Sequence, residues 1–364
     1  CVTDATRPST TLPAISQAAG PTLSDVLGNS GIAVSGAVDV SYDWADSDGV
    51  VGHVFDGGAA DNTFALHQAN LLVTKTFGGG VSATVNTILG DDAAVTGADG
   101  DDFDIFQGYI SYTNGGLTVS GGKFATLAGY EVVNSAGNAN ASRSFLFLFQ
   151  PLAHTGVRAS YKLNDSLALT AGLVNGIAAN PAFAGSRDNN SDKTIEAQIA
   201  FTPTKSLSVY LTGYKGNEDG GVGPGIGLDG GVINNDLVDL VASYTINDML
   251  SVALNADYIS TEDGTGGNTE NKGIAGYVTA KVLPKLSLTL RGESVVIDNG
   301  NGLGDDITIN EGTLTAGYSV TDALTVLAEV RADSSSDDLV FNQHGLGGDS
   351  NYQNTATIKG ILKF

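Results

Sequence analysis

The sequence predicts an all-β protein, namely a closed antiparallel transmembrane β-barrel of about sixteen strands. From Gly31 to the C-terminus, polar and apolar residues alternate in segments of about ten residues, which is the pattern of strands with two different faces. Short turns and long connections follow one another in strict alternation along the chain. No apolar run approaches the ~18–20 residues that a transmembrane helix needs.

Sixteen alternating segments can be delimited, and an even number is usual for single-chain bacterial outer-membrane barrels. In the first segment Val40 and Tyr42 fall on one face, whereas Asp39 and Ser41 fall on the other. Later segments repeat this separation, so we expect one face in lipid and the other toward the lumen. The predicted strands are 32–44, 64–77, 80–90, 103–113, 117–125, 153–163, 166–175, 193–202, 206–216, 235–246, 250–261, 272–283, 285–296, 307–319, 323–332 and 353–364.

The connections place short Gly, Asn, Asp and Pro turns at one end of the predicted barrel and long loops at the other. Outer-membrane barrels have short periplasmic turns and long extracellular loops, so we assign the two ends accordingly. A soluble sandwich would mix loop lengths at both ends, and a β-helix would show a fixed repeat. The long connections are 46–63, 91–102, 126–152, 176–192, 217–234, 262–271, 297–306 and 333–352.

The chain is strongly acidic, with a formal net charge of −23 from 40 acidic and 17 basic residues. The long connections contain 25 of the acids but two of the bases. This charge argues against nucleic acid and anionic membrane surfaces as partners. A solvated, repulsive surface is the commoner meaning of any one acidic cluster, whereas the set would attract cations. No cofactor is predicted beyond structural Ca²⁺ or Mg²⁺, for which the candidate ligands are Asp99, Asp101, Asp102, Asp305 and Asp306.

The ends of the chain carry two further signals. Residues 1–30 are rich in Thr, Ser, Pro and Ala, which predicts a periplasmic tether before a barrel domain at 31–364. Cys1 is the one cysteine, so an internal disulfide is excluded, and a chain that begins with Cys resembles a processed lipoprotein with Cys1 as the lipidation site. The alternative is a free thiol left by cleavage. Phe364 ends an alternating strand and resembles an outer-membrane assembly signal.

Residues 126–152 form the longest non-alternating interval after the N-terminal tail and connect the fifth and sixth predicted strands. We predict that this loop folds inward as a pore constriction. Opposed acids and bases across a narrow pore would create a transverse field, whereas the alternative is that Glu131 and Arg143 pin the loop to the wall. The candidate constriction residues are Glu131, Arg143, Arg158, Lys162, Arg291 and Arg331.

Further inward-facing acids are expected along the lumen, and a barrel of sixteen strands is too wide for side chains to fill, so we expect them to be solvated. These lumen acids are Glu196, Asp239, Asp257, Glu293 and Glu329. The apolar run 145–149 is expected to be shielded from water, and three environments could bury it: the inner wall of the barrel, a neighbouring subunit, or lipid.

The interval 122–161 also carries a specific resemblance. Its GKF, GYE, SRS, FLF and HTGVRASY runs lie at Gly122–Phe124, Gly129–Glu131, Ser142–Ser144, Phe145–Phe147 and His154–Tyr161. This order resembles the β-barrel porin-2 family, also called OmpL-like. The resemblance implies an outer-membrane porin-like barrel, and together with the long loop it suggests a homotrimer.

We therefore expect an integral outer-membrane porin for passive diffusion of small hydrophilic solutes and ions, leaning toward cations. The alternatives are a lipid-tethered surface or adhesion barrel with a closed pore, and a substrate-specific channel. No enzymatic activity or catalytic residue is predicted. The four histidines, His53, His67, His154 and His344, show no metal-binding spacing, and no GxSxG motif is present.

Overall fold

The computed structural model describes residues 30–46, 53, 55, 62–97, 100–177, 191–219, 232–262, 267–298, 305–338, 340–341 and 350–364. Sixteen strands form one closed barrel, in which each strand pairs antiparallel with its neighbours in sequence and β1 pairs with β16. The predicted fold class is confirmed. The strands are β1 Ile32–Ala45, β2 Thr63–Thr76, β3 Val81–Leu89, β4 Phe103–Asn114, β5 Leu117–Ala125, β6 Ala153–Lys162, β7 Leu167–Val174, β8 Thr194–Thr204, β9 Leu207–Asp219, β10 Val232–Asn247, β11 Leu250–Glu262, β12 Asn268–Leu283, β13 Leu286–Ile297, β14 Ile307–Ser319, β15 Leu324–Ser335 and β16 Tyr352–Lys363.

Two short helices lie in the connections, α1 at Asp91–Thr96 and α2 at Phe145–Leu148. Single 3₁₀ turns occupy Gly78–Gly80 and Ser135–Gly137. Among the described residues, none of the helices has the length and hydropathy to cross a membrane.

Most strand boundaries agree with the alternation, but β10 and β12 begin three and four residues earlier than predicted. The four additional residues of β12, Asn268–Asn271, are polar and pair with β11, where Thr269 for example lies opposite Thr261. Alternation marks the apolar band of a strand. It does not mark the polar extension of a hairpin beyond that band, which is why the predicted β12 was too short.

Barrel closure joins the two ends of the described chain. The register of β1 and β16 runs from Ala37 opposite Lys363 to Ala45 opposite Thr355. Beyond it, Gly36 and Phe364 exchange two backbone hydrogen bonds of 2.9 and 3.0 Å. The C-terminal residue is therefore part of the closing seam, whereas its role as an assembly signal stays a prediction. Cys1 lies outside the described residues.

The two faces of the wall differ as the alternation predicts. Apolar side chains such as Leu290 and Val330 are 55% and 57% exposed on the outer face, where a membrane protein meets lipid. The inner face carries charged and polar side chains, and Arg291 is fully buried there. The half of the inner wall toward the short turns presents paired hydroxyl groups on adjacent strands. These pairs are Thr74–Thr84 at 3.1 Å, Ser111–Ser120 at 2.7 Å, Ser160–Thr170 at 2.8 Å and Thr279–Thr289 at 3.0 Å.

Replacing Val330 by Arg should destabilise the barrel by about 2–4 kcal/mol, because the charge would sit on the lipid face near the middle of β15. Leu324→Arg, on the same face at the short-turn end of β15, is the matched control and should cost about 0–1 kcal/mol. Equilibrium unfolding in lipid vesicles measures both values. Equal costs at the two positions would contradict the assignment of this face to lipid.

Candidate pore constriction

Loop 126–152 crosses from one side of the barrel interior to the other. The loop leaves β5 and enters β6 at neighbouring points, since the Thr126 N–H donates to the Leu152 carbonyl at 3.0 Å. Between these points the Tyr130 N–H donates to Asn255 Oδ1 on β11 at 2.9 Å, and Asn140 Nδ2 donates to Thr315 Oγ1 on β14 at 2.7 Å. The loop therefore lies against the inner wall, and its role as a constriction stays a prediction.

Two wall glutamates accept backbone N–H groups of the loop. Glu329 accepts those of Ala141 and Ser142 at 2.6 and 2.9 Å. Glu293 accepts those of Phe145 and Leu146, at the N-terminus of α2, at 2.6 and 3.0 Å. Hydrogen bonds to a charged acceptor are roughly twice as strong as neutral ones. The carboxylates thus satisfy successive loop amides that have no strand partner.

A buried ion-pair network fastens the same part of the loop. Arg291, which is fully buried, donates to Glu131 Oε1 at 2.7 Å and to Glu311 Oε2 at 3.0 Å. It also donates to the Ser142 carbonyl at 2.7 Å. The second oxygen of Glu131 accepts from the Ser144 N–H at 2.8 Å and from the Ser144 hydroxyl at 2.6 Å. Glu131 therefore joins the loop to β13, as the pinning hypothesis proposes.

The side chain of Arg143 also forms its hydrogen bonds within the loop. Its guanidinium donates to the carbonyls of Val132 and Val133 at 3.0 and 2.9 Å, and it lies 5.8–5.9 Å from the ring centroids of Phe55 and Phe147. The Arg143 carbonyl in turn accepts from Arg331 Nη1 at 2.6 Å. Arg143 is 3% exposed, so it holds the loop in shape and does not face an aqueous space.

The apolar run 145–149 packs on the inner wall, the first of the three environments considered from the sequence. Phe145 and Leu146 join Tyr277, Val295 and other wall residues in one apolar cluster. Phe341, from the connection after β15, completes that cluster, and its ring centroid lies 6.5 Å from that of Phe145. A second cluster combines loop residues with residues of two other long connections, and its buried members are Phe55, Ile88, Ala93, Phe106, Val133, Phe147 and Leu152.

Tyr130, near the start of the loop, packs its ring against Tyr277 with centroids 4.5 Å apart. Burial, and after it the neighbouring Glu131 carboxylate, raise the pKa of Tyr130 above its ordinary value. Its phenol therefore stays neutral at pH 7 and contributes packing instead of charge.

Two candidate bases lie apart from the Glu131–Arg143 region. Arg158 donates to both oxygens of Glu196 at 2.6 and 2.8 Å and lies 4.1 Å from the ring centroid of Phe124. Lys162 was wrongly grouped with the constriction. It pairs with Asp165 at 2.9 Å at the short-turn end, with 59% of its side chain exposed. At 3.3 Å per residue, the nine steps of β6 carry Lys162 ~30 Å from the loop's return point.

The five predicted lumen acids all face inward, but the expectation that they are solvated was wrong. Their exposures are 0% for Glu196 and Asp239, 5% for Asp257 and Glu329, and 7% for Glu293. The loop and its apolar clusters cover them, so partners in the protein must replace water. The sequence predicted an inward loop, but alternation and charge do not show which wall acids such a loop covers.

Several residues of the site were not singled out from the sequence. Glu311 and Lys359 lie on inward faces of β14 and β16, and Lys359 Nζ donates to the Ala141 carbonyl at 2.9 Å. Strand parity combined with charge could have found both residues. Asn255 and Gln68 are neutral and give no such signal, although Gln68 Nε2 donates to the Val133 carbonyl at 2.6 Å.

The acidic connections show no assembled metal centre in the described part of the chain, where no group of three or more His, Cys, Asp or Glu side chains is placed to hold a metal ion. Asp101, Asp102, Asp305 and Asp306 are exposed. Asp99 lies outside the described residues. Binding of Ca²⁺ or Mg²⁺ at these acids stays a prediction.

A sixteen-stranded barrel with an apolar outer face and a long loop on its inner wall defines the porin-like class of outer-membrane proteins. The model of the family described as "Putative beta-barrel porin-2, OmpL-like" matches residues 31–364. The chain therefore belongs to this family, and the resemblance noted at 122–161 is confirmed.

Solved structures share the fold at low sequence identity. The anion-selective porin from Comamonas acidovorans is 14% identical with a TM-score of 0.66, and the match covers 92% of this chain and 99% of that one. The outer membrane channel DcaP of Acinetobacter baumannii is 14% identical with a TM-score of 0.65, covering 92% and 97%. OmpT of Vibrio cholerae in its trimer form is 16% identical with a TM-score of 0.62, covering 92% and 99%. Among curated proteins, no match is found.

Glu131→Ala should destabilise the protein by about 3–5 kcal/mol, because it removes one partner of a buried ion pair and leaves Arg291 less compensated. Lys215→Ala is the control, since Lys215 and Asp236 form an exposed pair whose loss should cost no more than about 1 kcal/mol. The free energy of unfolding in lipid vesicles distinguishes the two. A cost for Glu131→Ala as small as that of the control would show that this pair does not fasten the loop.

Proposed function

We propose that this protein is an outer-membrane porin that allows passive diffusion of small hydrophilic solutes and ions. The observation that carries the proposal is the long loop fastened across the interior of a closed porin-family barrel. We expect such a loop to narrow the lumen without closing it. On the half of the inner wall toward the short turns, the hydroxyl pairs offer donors and acceptors to which water can hydrogen-bond.

The same geometry predicts a small conductance for a barrel of this size. Loop residues contact Gln68 on β2, Tyr214 on β9, Asn255 on β11, Arg291 on β13 and Lys359 on β16. These contacts are spread around the circumference, so little cross-section is left for solutes. Passage is then limited to small hydrophilic species.

A preference for cations is supported by charge. The chain carries a formal net charge of −23, mostly from acids in the long connections. Among the described residues that are buried, eleven are acidic and four are Arg or Lys. A negative potential at the mouth raises the local cation concentration and lowers that of anions. Bridging of Ca²⁺ or Mg²⁺ between exposed loop acids and outer-leaflet phosphates is part of the same proposal.

The remaining features of the proposal concern assembly. We place the protein integrally in the bacterial outer membrane with its N-terminus in the periplasm and with outer-membrane lipid as its surroundings. A homotrimer is supported by the similar fold of OmpT, which has been solved in a trimer form.

A surface or adhesion barrel with a closed pore is the second candidate, and a specific observation favours it. Phe55 and Phe341 come from two different long connections, and both are buried in apolar clusters with the loop. Several connections thus help to fill the lumen. A substrate-specific channel is the third candidate, which saturation of the current by one solute would reveal.

Single-channel recording of the purified protein in a planar bilayer, with a salt gradient, tests the proposal. Stepwise openings with a reversal potential that favours cations are expected. Openings that favour anions would mean that bases outweigh the acidic loops. A folded barrel that gives no openings would contradict the proposed porin function and would favour the surface or adhesion barrel with a closed pore.

Replacing residues 128–150 by a short Gly-Ser turn should raise the single-channel conductance several-fold, because it removes the segment that crosses the lumen. The Thr126–Leu152 hydrogen bond shows that the ends already meet, so a short turn can close the β5–β6 hairpin. Asp305→Asn with Asp306→Asn, two exposed residues away from the loop, is the control and should leave the conductance nearly unchanged. An unchanged conductance in the shortened variant would show that the loop does not limit the current.

A further inference from the structure

Nearly every buried acid of the lumen has a basic partner or accepts backbone N–H groups, but one pair differs. Asp239 on β10 and Asp257 on β11 are directly opposed in the strand register. Their exposures are 0% and 5%. In the described part of the chain neither side chain forms an ion pair with Lys, Arg or His, whereas Glu131, for example, pairs with Arg291.

The two carboxyl groups share one hydrogen-bond donor, the side-chain amide of Asn255. Asn255 Nδ2 donates to Asp239 Oδ2 at 2.6 Å and to Asp257 Oδ1 at 3.1 Å, and Gln150 Nε2 donates to Asp257 Oδ2 at 2.7 Å. Oδ1 of Asp239 is buried and meets no donor in hydrogen-bond geometry. Two adjacent, uncompensated carboxylates in a buried site cannot both stay ionised at low cost.

The chemistry of the site favours a proton over a metal ion. Asn255 has a fixed orientation, because its Oδ1 accepts from the Tyr130 N–H and from Gln150 Nε2, both at 2.9 Å. Its N–H₂ group must therefore point at the carboxyls, as the N–H₂ group of Gln150 also does, and such donors would repel a cation. Hard cations also need six or more oxygen ligands. A single proton, shared between the two carboxyl groups, supplies the missing donor.

The described residues that lie opposite the pair on the neighbouring strands carry no charge to compensate it. Thr212 of β9 is opposite Asp239, and Gly273 of β12 is opposite Asp257, and neither residue titrates. Next to this junction, Tyr130 of the loop and Tyr277 of β12 contribute phenols whose rings pack together. Glu131, the next residue of the loop, is paired with Arg291.

We propose that Asp239 and Asp257 form a proton-binding site, which holds one proton at neutral pH and fastens both ends of loop 126–152 to β11. At the start of the loop, the Tyr130 N–H donates to Asn255 Oδ1. At the end of the loop, Gln150 bonds Asn255 and Asp257. Loss of the proton at alkaline pH places a second negative charge in this junction, and repulsion loosens both ends of the loop.

Infrared difference spectroscopy of the folded barrel in vesicles at neutral pH tests the site directly. Asp239→Asn is the informative variant, because an amide N–H can replace the proton and donate to Asp257. Wild type should show a protonated-carboxyl C=O stretch that Asp239→Asn removes. Asp236→Asn, an exposed residue of the same strand that pairs with Lys215, is the control and should keep the band. A wild-type spectrum identical to that of Asp239→Asn in this region would overturn the proposal.

The effect on current rests on the proposed porin function and has its own readout. Wild-type conductance should rise as the pH is raised through the loss of this proton, whereas Asp239→Asn should show no such rise. An identical rise in both proteins would overturn the role of the pair in fastening the loop. Complete absence of channels with the infrared band intact would instead refute the porin function and leave the proton site standing.

Discussion

The arrangement of the lumen depends on one interaction, the acceptance of loop N–H groups by carboxylates of the barrel wall. A non-strand segment inside a barrel carries backbone donors that neither lipid nor a ladder partner satisfies. Glu293 and Glu329 each accept two successive N–H groups, and the same segment supplies carbonyls to Arg291 and Arg331. Loop and wall thereby satisfy each other, so a long irregular segment can lie inside a membrane protein.

Packing and charge support each other in this region. The run 145–149 places Phe145 and Leu146 among wall residues, and Phe341 covers them from a long connection. These apolar contacts exclude water from the neighbouring ion pairs, which makes both their attraction and their desolvation cost larger than in bulk solvent. The desolvation cost of the buried network is offset because its charges are paired: Arg291 forms ion pairs with both Glu131 and Glu311. Removal of either glutamate leaves Arg291 less compensated, and removal of Arg291 leaves both glutamates without this partner.

Strand number, strand faces and the position of the long loop could be predicted from the sequence, because each depends on alternation or on local turn chemistry. Whether the inward-facing charged residues are solvated or buried could not be predicted from the sequence. Glu196 and Asp239 were placed on the correct face, but their burial is decided by a loop whose path depends on contacts from β2 to β16. Lys162 shows a related limit, since strand parity gives the face of a residue but not its distance along the barrel axis from the constriction. Neutral residues such as Asn255, which joins the two ends of the loop, leave no signal in charge or periodicity.

Hydrogen–deuterium exchange of the loop amides in the folded, membrane-embedded protein tests most directly the claim that wall carboxylates hold this segment. The N–H groups of Ala141, Ser142, Phe145 and Leu146 should exchange as slowly as those of the neighbouring strands, and Glu329→Gln should accelerate the first two more than the last two. Exchange of all four as fast as that of the exposed residues Asp305 and Asp306 would contradict the account, because the loop would then not be fastened to the wall.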